Sequence, residues 1–322
     1  MGIHYSLISV QPRWNSPQDL LGYYDGLEGK YKATEFIRSL IRFEMFNRKD
    51  WRVNVPRCDD RSDRMLLMLL DEMNLADVDG YFSEFLSKLE ARRGIDIHSA
   101  MDRVKAEIEL EVAGQTMVRV FPGRNVLFAG TVNEDKCTLS LSDKVLDRSN
   151  VLYFGRPLNA NIKTLLGKTK PLEAPYEGMT QQCWKEWTTN TYTTAAGPIA
   201  KRLNRLNEAM TEMGRPFGYR TGQAIATYMN NYPKFVARRQ KVAFADQIEQ
   251  RILPKLNGVG LFEHQAPLAK IEKLISETGD KLLHAAFAKS CQETGTGIFN
   301  WTGVDRTEVK EVKKDAKAEA KK

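Results

Sequence analysis

Six consecutive apolar residues, Met65 to Leu70, run directly into two carboxylates, Asp71 and Glu72. An unbroken apolar run of this length is typical of a strand that is buried on both faces inside a parallel sheet. In open α/β sheets, ligands bind beyond the carboxyl ends of the strands, which is where these carboxylates would lie. An aspartate there can hold Mg²⁺, and a neighbouring glutamate can orient or deprotonate an attacking water. The alternative interpretation is a buried strand that ends in two surface acids.

A second strand with polar residues at its end follows further along the chain, from Asn125 to Gly130. It leads to Thr131 and Asn133, whose neutral side chains can align a water or contact a terminal phosphate. Next, the stretch from Leu141 to Asn150 predicts a helix with Arg148 near its end. An arginine in such a place can stabilise the charge that develops in phosphoryl transfer.

Three segments together resemble the AAA+ ATPases, and more narrowly their McrB-like branch. The namesake of that branch is the GTP-dependent motor of a methyl-directed restriction system. The segments are Asp71 to Ala76, Gly130 to Asp135 and Lys144 to Asn150. The resemblance extends from about Ser6 to about Gly260.

The resemblance implies a role for each polar residue at these positions. Asp71 and Glu72 match the Walker B pair, in which the aspartate holds Mg²⁺ and nucleotide while the glutamate activates water. Thr131 would contact the nucleotide, and Asn133 matches sensor 1, which positions the water. Arg148 matches the arginine finger, which in AAA+ rings usually acts on the nucleotide of the neighbouring subunit.

One motif of that family is missing from this chain. The P-loop, G-x-x-x-x-G-K-[ST], cradles phosphates with its backbone amides and lysine, and no segment has this form. Gly167-Lys168-Thr169 supplies only its last three residues and lies after sensor 1. In the family the P-loop precedes the strand that begins near Tyr5, so we expect this chain to start just after it. A split or truncated gene, an incomplete gene assignment, or a separate polypeptide with the P-loop would each explain this.

The chain as a whole predicts an α/β fold. We expect a partial AAA+ P-loop NTPase core with a parallel sheet and flanking helices, followed by an α-helical lid and a disordered charged tail. The expected boundaries are 1–155 for the nucleotide-binding core without its P-loop segment, 156–198 for a linker or insertion, 199–303 for the lid and 304–322 for the tail.

Apolar spacing predicts individual elements within the core. A strand is expected over Ser6 to Val10, and helices are expected over Thr34 to Phe46 and over Asp77 to Ala91. Alternation around Ala113-Gly114 predicts a β-hairpin from Ile108 to Val120. This hairpin either faces the pore of a ring, as the pre-sensor-1 hairpin of one AAA+ clade does, or merely extends the edge of the sheet.

Two helices are predicted in the lid. One begins near Ile199, and the other extends from Phe217 to Met229. Arg220 falls at the start of the second helix, where a sensor-2 arginine of the family would reach the phosphates. The alternative is an ordinary surface arginine at a helix start.

Composition limits the class of protein. The 322 residues include 28% charged and 42% hydrophobic residues, which is ordinary for a soluble globular chain. No apolar run is long enough for a transmembrane helix, and no signal peptide is evident. The four cysteines form no C-x-x-C pair, which favours reduced thiols in a cytoplasmic protein over a zinc site. A net charge of +7 permits contact with nucleic acid without establishing it.

These observations lead to hypotheses from different classes. The first is part of an AAA+ NTPase that hydrolyses ATP or GTP with Mg²⁺ in a homo- or hetero-oligomeric ring, serving DNA restriction or phage defence with a nuclease partner and DNA. The second is a catalytically inactive structural or regulatory subunit, or a truncated fragment, because P-loop amides and lysine supply much of the affinity for triphosphate. A third, a DNA-binding protein, lacks any recognisable reader motif.

Overall fold

The computed structural model describes residues 3–46, 61–113, 116–133, 139, 141–154, 180–187, 197–233, 235–292 and 297–306. The strands and α-helices follow in this order: β1 (His4–Ser9), α1 (Pro17–Leu21), β2 (Gly22–Asp25), β3 (Lys30–Ala33), α2 (Glu35–Phe43), β4 (Leu66–Asp71), α3 (Val78–Tyr81), α4 (Ser83–Ala91), α5 (Ala100–Arg103), β5 (Ile108–Ala113), β6 (Thr116–Val120), β7 (Val126–Gly130), α6 (Asp143–Leu146), α7 (Gln181–Trp187), α8 (Gly197–Glu212), α9 (Tyr219–Asn231), α10 (Arg239–Gln247), α11 (Gln265–Thr278) and α12 (Lys281–Gln292). The chain divides into two compact units, one formed by Met1–Ser142 with Pro171–Thr189 and the other by Asp143–Lys170 with Asn190–Lys322.

A three-stranded parallel sheet in the order β1–β4–β7 lies at the centre of the first unit. The apolar run forms its middle strand, with Leu66 to Leu70 paired to β1 on one side and to β7 on the other. The predicted strand after Met65 is therefore confirmed. The strand predicted over Ser6 to Val10 is also present, displaced toward the N-terminus at His4–Ser9.

Helices α2 and α4 pack on one face of this sheet. Their aromatic side chains Phe36 and Phe85 meet edge to face with ring centroids 4.9 Å apart, and Phe85 lies at the same distance from Phe128 of β7. Met68 and Leu70 of β4 point to this face and are buried. These aromatic and aliphatic side chains form part of the hydrophobic core of the first unit, and their burial stabilises it.

Two antiparallel hairpins accompany the sheet. The predicted hairpin is confirmed as β5 and β6, although its turn residue Gly114 lies outside the described residues. The sequence pattern did not predict the second hairpin, formed by β2 and β3. It requires glycine at position 22, where φ is +106° and a Cβ atom would lie 2.4 Å from the carbonyl oxygen of Lys32.

The helices of the first unit differ from the predictions at their ends. The helix predicted from Thr34 starts one residue later, because the Thr34 hydroxyl accepts from the amide of Ile37 as an N-cap, and it ends at Phe43. The helix predicted over Asp77 to Ala91 is two helices, α3 and α4. Gly80 in α3 lies so close to the N-terminal loop that a Cβ atom would be 2.8 Å from the backbone oxygen of Asn15.

The second unit is helical, and its core is formed by α8 to α12 with the segment around Trp301. The two predicted lid helices are confirmed as α8 and α9. Trp301 is 1% exposed, and its backbone amide donates to the Asn257 side chain at 2.7 Å. Cys291 is a free thiol in this unit, and partial burial raises its pKa to about 11.

At a coarse level the predicted architecture is confirmed: a parallel sheet with flanking helices is followed by a helical part. Most of the predicted linker and almost all of the predicted tail lie outside the described residues. Within the described residues, every helix is too short or too polar to span a lipid bilayer.

Candidate functional site

The carboxyl ends of β4 and β7 lie side by side because the strands are parallel and Leu70 pairs with Gly130. The chain beyond these ends carries Asp71 and Glu72 on one side and Thr131 and Asn133 on the other. The structure thus brings together four of the six residues that the sequence singled out. We name these four residues the carboxylate site.

Thr131 joins the two halves of the carboxylate site. Its hydroxyl donates to Oδ1 of Asp71 at 2.7 Å and accepts from the backbone amide of Glu72 at 2.8 Å. Its carbonyl oxygen accepts from the amide of Met73 at 2.7 Å, while its own amide donates to the carbonyl of Leu70 at 2.9 Å. These bonds fix the Asp71 carboxylate and the turn that follows it. Thr131 therefore fixes the side chain of Asp71 and the backbone of Glu72.

Glu72 has a left-handed backbone conformation, with φ 54° and ψ 50°. This region is uncommon for residues other than glycine and costs roughly 1–3 kcal/mol. The strained turn aims the Glu72 side chain toward solvent, where Nδ2 of Asn133 donates to Oε1 of Glu72 at 3.4 Å. The long distance makes this a weak bond. Strain of this kind is concentrated at functional sites.

The strain at residue 72 predicts an order of stability between two variants. Glu72→Gly and Glu72→Ala both remove the carboxylate, but only alanine retains a Cβ atom that disfavours positive φ. We expect the glycine variant to have a free energy of unfolding about 1 kcal/mol greater than that of the alanine variant. Urea denaturation of both proteins measures this difference. An alanine variant of equal or greater stability would show that the turn is not strained.

Asn74 anchors the segment that carries Asn133. Its side chain is 2% exposed, and Nδ2 donates to the carbonyl oxygens of Asn133 at 2.8 Å and Leu139 at 2.9 Å. Its Oδ1 accepts from the Asn133 amide at 3.3 Å. Asn74 lies within the segment Asp71 to Ala76, but the sequence alone indicates no role for it. The available signal was the position of this polar residue between apolar Met73 and Leu75, just after the two acids.

Tyr81 holds the turn after β4 through a hydrogen bond to its backbone. Its hydroxyl donates to the carbonyl oxygen of Met73 at 2.8 Å, and its ring packs edge to face on Trp14 with centroids 5.3 Å apart. Burial raises the pKa of Tyr81, so the phenol stays protonated and remains a donor. The turn is thus held by side chains from α3 and from the loop after β1.

The carboxylate site faces solvent. Asp71 is partly exposed, and Glu72, Thr131 and Asn133 are exposed. Among the described residues, no group of three or more His, Cys, Asp or Glu side chains could hold a metal ion. A metal bound at Asp71 would thus need oxygen ligands from water or from a bound substrate, which is how proteins commonly hold Mg²⁺.

The other two candidate residues, Arg148 and Arg220, belong to the second unit. Arg148 is half-buried and follows α6, which is a single turn rather than the longer helix expected. The neighbouring Asp147 binds Lys255 through its carboxylate, and its carbonyl oxygen accepts from Arg251 Nη1 at 3.2 Å. Arg220 is exposed in the first turn of α9.

Some residues of the sequence motifs lie outside the described part of the chain. These are Glu134 and Asp135 after sensor 1, Cys58, Cys137 and the Gly167-Lys168-Thr169 segment.

Comparison with known proteins gives one family match. Residues 175–297 match a family described as a domain of unknown function, DUF8727. The matched region includes α7 to α12 and Arg220, and it excludes the carboxylate site and Arg148. No AAA+ or McrB-like family model matches the chain. No curated protein and no solved structure matches it either.

Proposed function

We propose that this chain is part of an AAA+ NTPase of the McrB-like type, which binds and hydrolyses ATP or GTP. The observation that carries the proposal is the carboxylate site itself. Two carboxylates and two neutral hydrogen-bonding residues converge at the carboxyl edge of adjacent parallel strands, where open α/β sheets bind ligands. The order of the motifs along the chain supports the same assignment.

Asp71 is the residue that would hold Mg²⁺. The Thr131 hydroxyl donates to its Oδ1, no hydrogen bond to its Oδ2 is found among the described residues, and Asp71 is partly exposed. One carboxylate with water and phosphate oxygens is a suitable donor set for this ion. Mg²⁺ bound there would neutralise charge on the phosphate oxygens. Thr131 would keep the carboxylate oriented.

Glu72 would accept a proton from the water that attacks the terminal phosphorus, while the bond from that phosphorus to the bridging oxygen breaks. Asn133 lies within reach of Glu72 and would hold the same water in line. The exposed position of both side chains leaves room for water and substrate.

The proposal gives roles to Arg148 and Arg220 as well, and the role of Arg148 requires an oligomeric ring. In a homo- or hetero-oligomeric ring, Arg148 would stabilise the charge on a neighbouring subunit's nucleotide as an arginine finger, worth about 10³ to 10⁵ in rate. Arg220 would contact phosphate as sensor 2. A cytoplasmic role in restriction or phage defence, with a nuclease partner and DNA, is proposed from the resemblance alone.

A second candidate function follows from the 322 residues themselves, in which no segment has the form of a P-loop. The chain would then be an inactive structural or regulatory subunit, or a truncated fragment, that keeps the carboxylate site without binding triphosphate. Adding a polypeptide that carries a P-loop distinguishes the NTPase from the inactive subunit, since only the NTPase would gain hydrolytic activity from it.

Nucleotide binding and hydrolysis by the purified chain test the proposal. The chain is assayed with ATP and with GTP, alone and mixed with a P-loop polypeptide encoded immediately upstream of its gene. We expect turnover in the mixture and none in either component alone, because the P-loop and the carboxylate site are both needed. Absence of binding and turnover in every sample would favour the inactive subunit.

A further inference from the structure

A long stretch of the second unit, residues 213–245, contains no aspartate or glutamate. Acids make up 41 of the 322 residues, so a stretch of this length would contain about four of them at the average frequency. The same stretch holds six cations, which are Arg215, Arg220, Lys234, Arg238, Arg239 and Lys241. Positive charge that is concentrated in one segment, without interspersed acids, indicates contact with a polyanion.

The structure places two of these cations side by side at the start of α10. Arg238 is the N-cap residue, and its carbonyl oxygen accepts from the amide of Lys241 at 2.8 Å. Residues three apart at such a position are neighbours on the surface, and both side chains are exposed. Neither forms an ion pair with any residue that the structure describes. The two charges are therefore available to an external anion.

An exposed aromatic ring accompanies the two cations. Phe235 is 91% exposed, although most phenylalanines of this unit, such as Phe244 and Phe287, are buried in its core. Phe235 precedes Arg238 by three residues, so their Cα atoms are at most about 11 Å apart. Cations beside an exposed aromatic ring can contact a phosphate backbone and stack on a base at the same time.

Both cations occupy positions where they lower the stability of the fold. Arg238 has a left-handed backbone with φ 55°, a conformation that disfavours residues with a Cβ atom. Lys241 is the third residue of α10, where the partial positive charge of the helix end favours an acid, and the first turn of α10 contains none. Local rules of this kind are broken mainly at functional sites. What the two residues share is exposed positive charge.

We propose that Phe235, Arg238 and Lys241, which we name the basic patch, bind a single-stranded nucleic acid. The two cations would contact phosphates, and the ring would stack on an unpaired base. A duplex keeps its base faces within its own stack, so only a single strand can use the ring. Stacking accepts every base, so the contact would have little sequence preference. The proposal is independent of the proposed function, because it needs neither nucleotide hydrolysis nor the carboxylate site.

Fluorescence anisotropy of the full chain, without ATP or GTP, tests the role of the ring. The probes are a labelled strand of about 15 nucleotides, made as DNA and as RNA, and a DNA duplex of the same sequence. Phe235→Ala should weaken binding of the single strands about tenfold and change duplex binding by less than about twofold. The matched control is Phe262→Ala, at a ring that is 84% exposed beside Glu263, and it should leave every affinity unchanged.

The same probes test the two cations. Arg238→Gly and Lys241→Glu should each weaken binding about tenfold at about 0.15 M salt, where screening confines a charge to about 8 Å. Arg238→Gly should also reduce the salt dependence of single-strand binding, with a log–log slope smaller by about 0.7, the value for one phosphate contact. Lys281→Glu makes the same charge change in the first turn of α12, beside Asp280, and should change affinity less than about twofold.

Urea denaturation separates a binding role from a structural one. Arg238→Gly and Lys241→Glu should both unfold at higher urea concentrations than the wild type. Glycine adopts the left-handed conformation without strain, and an acid suits the first turn of a helix. Weaker binding by a more stable protein cannot result from misfolding. A fall in both unfolding midpoints would show that these cations hold the fold, and it would overturn the proposal.

The binding assay has further outcomes that would overturn the proposal. These are no binding of any probe, an equal loss of single-strand and duplex binding in Phe235→Ala, and affinities that all three patch variants leave unchanged. The last result would place the contact elsewhere in the chain, such as at the lysines of 309–322. Tighter binding of DNA or of RNA through Phe235 supports the proposal and identifies the strand. Strand binding without hydrolysis would contradict the proposed function alone, and hydrolysis without strand binding would contradict the basic patch alone.

Discussion

Replacing Glu72 with glutamine should lower nucleotide hydrolysis by the reconstituted assembly at least about 100-fold, the usual contribution of a positioned general base. Glutamine preserves the size of the side chain and keeps an Oε1 acceptor for Nδ2 of Asn133. It cannot take a proton from water. Binding of ATP or GTP should be unchanged, since neither the Asp71 carboxylate nor its bond from Thr131 is altered.

The control for this experiment is Glu84→Gln. Glu84 is an exposed glutamate on α4 in the same unit, so the substitution makes the same chemical change away from the carboxylate site. Hydrolysis rates are measured at saturating nucleotide, and affinity is measured by titration with a fluorescent nucleotide. Wild-type turnover in Glu72→Gln would assign the activation of water to another residue. Lost binding would instead assign Glu72 a role in holding the nucleotide.

Replacing Asn74 with aspartate should lower the free energy of unfolding by about 3 kcal/mol. The Asn74 amide group donates to two carbonyl oxygens, those of Asn133 and Leu139. A carboxylate of the same shape would face these oxygens without a proton to share, in a position that is 2% exposed. The backbone at Asn133 and at Leu139 should then separate from the turn after β4.

Two measurements check the Asn74 prediction. Urea denaturation gives the loss of stability, and hydrogen exchange gives the local effect, because the Leu139 amide donates to the carbonyl of Asn74 at 3.2 Å. Asn204→Asp, on the exposed face of α8, provides the matched control and should change stability by less than about 0.5 kcal/mol. A loss below about 1 kcal/mol in Asn74→Asp would mean that the two bonds donated by the Asn74 amide group are dispensable.

The sequence predicted the central strand and the residues at its end, since an apolar run followed by acids constrains both burial and direction. It could not predict how the acids are held. The left-handed turn at Glu72 depends on two amides that bind Thr131, which is distant in the chain. The anchoring role of Asn74 likewise depends on the carbonyl oxygens of Asn133 and Leu139. Such contacts exist only once the strands have paired.

The apolar run also predicted more burial than the structure provides. Met68 and Leu70 are buried as expected, whereas Leu67 and Leu69 are only partly covered. A continuous apolar strand is typical of a sheet with helices on both faces, and hydrophobic periodicity does not reveal whether both layers are present. The hairpin of β2 and β3 was missed for a different reason. Its strands have four residues each, too few for alternation to stand out.

The uncovered face of the parallel sheet, on which Tyr5 and Leu7 are exposed, has a consequence for the amount of this protein in a cell. A partner that binds only the folded chain would stabilise it by about 2.7 kcal/mol when present at roughly 100 times its Kd. Without that partner, exposed Tyr5 and Leu7 would favour self-association, and chaperones and proteases would remove the unpaired copies. The amounts of this chain and of its partner would then be matched after translation, because copies of this chain without a partner would be degraded.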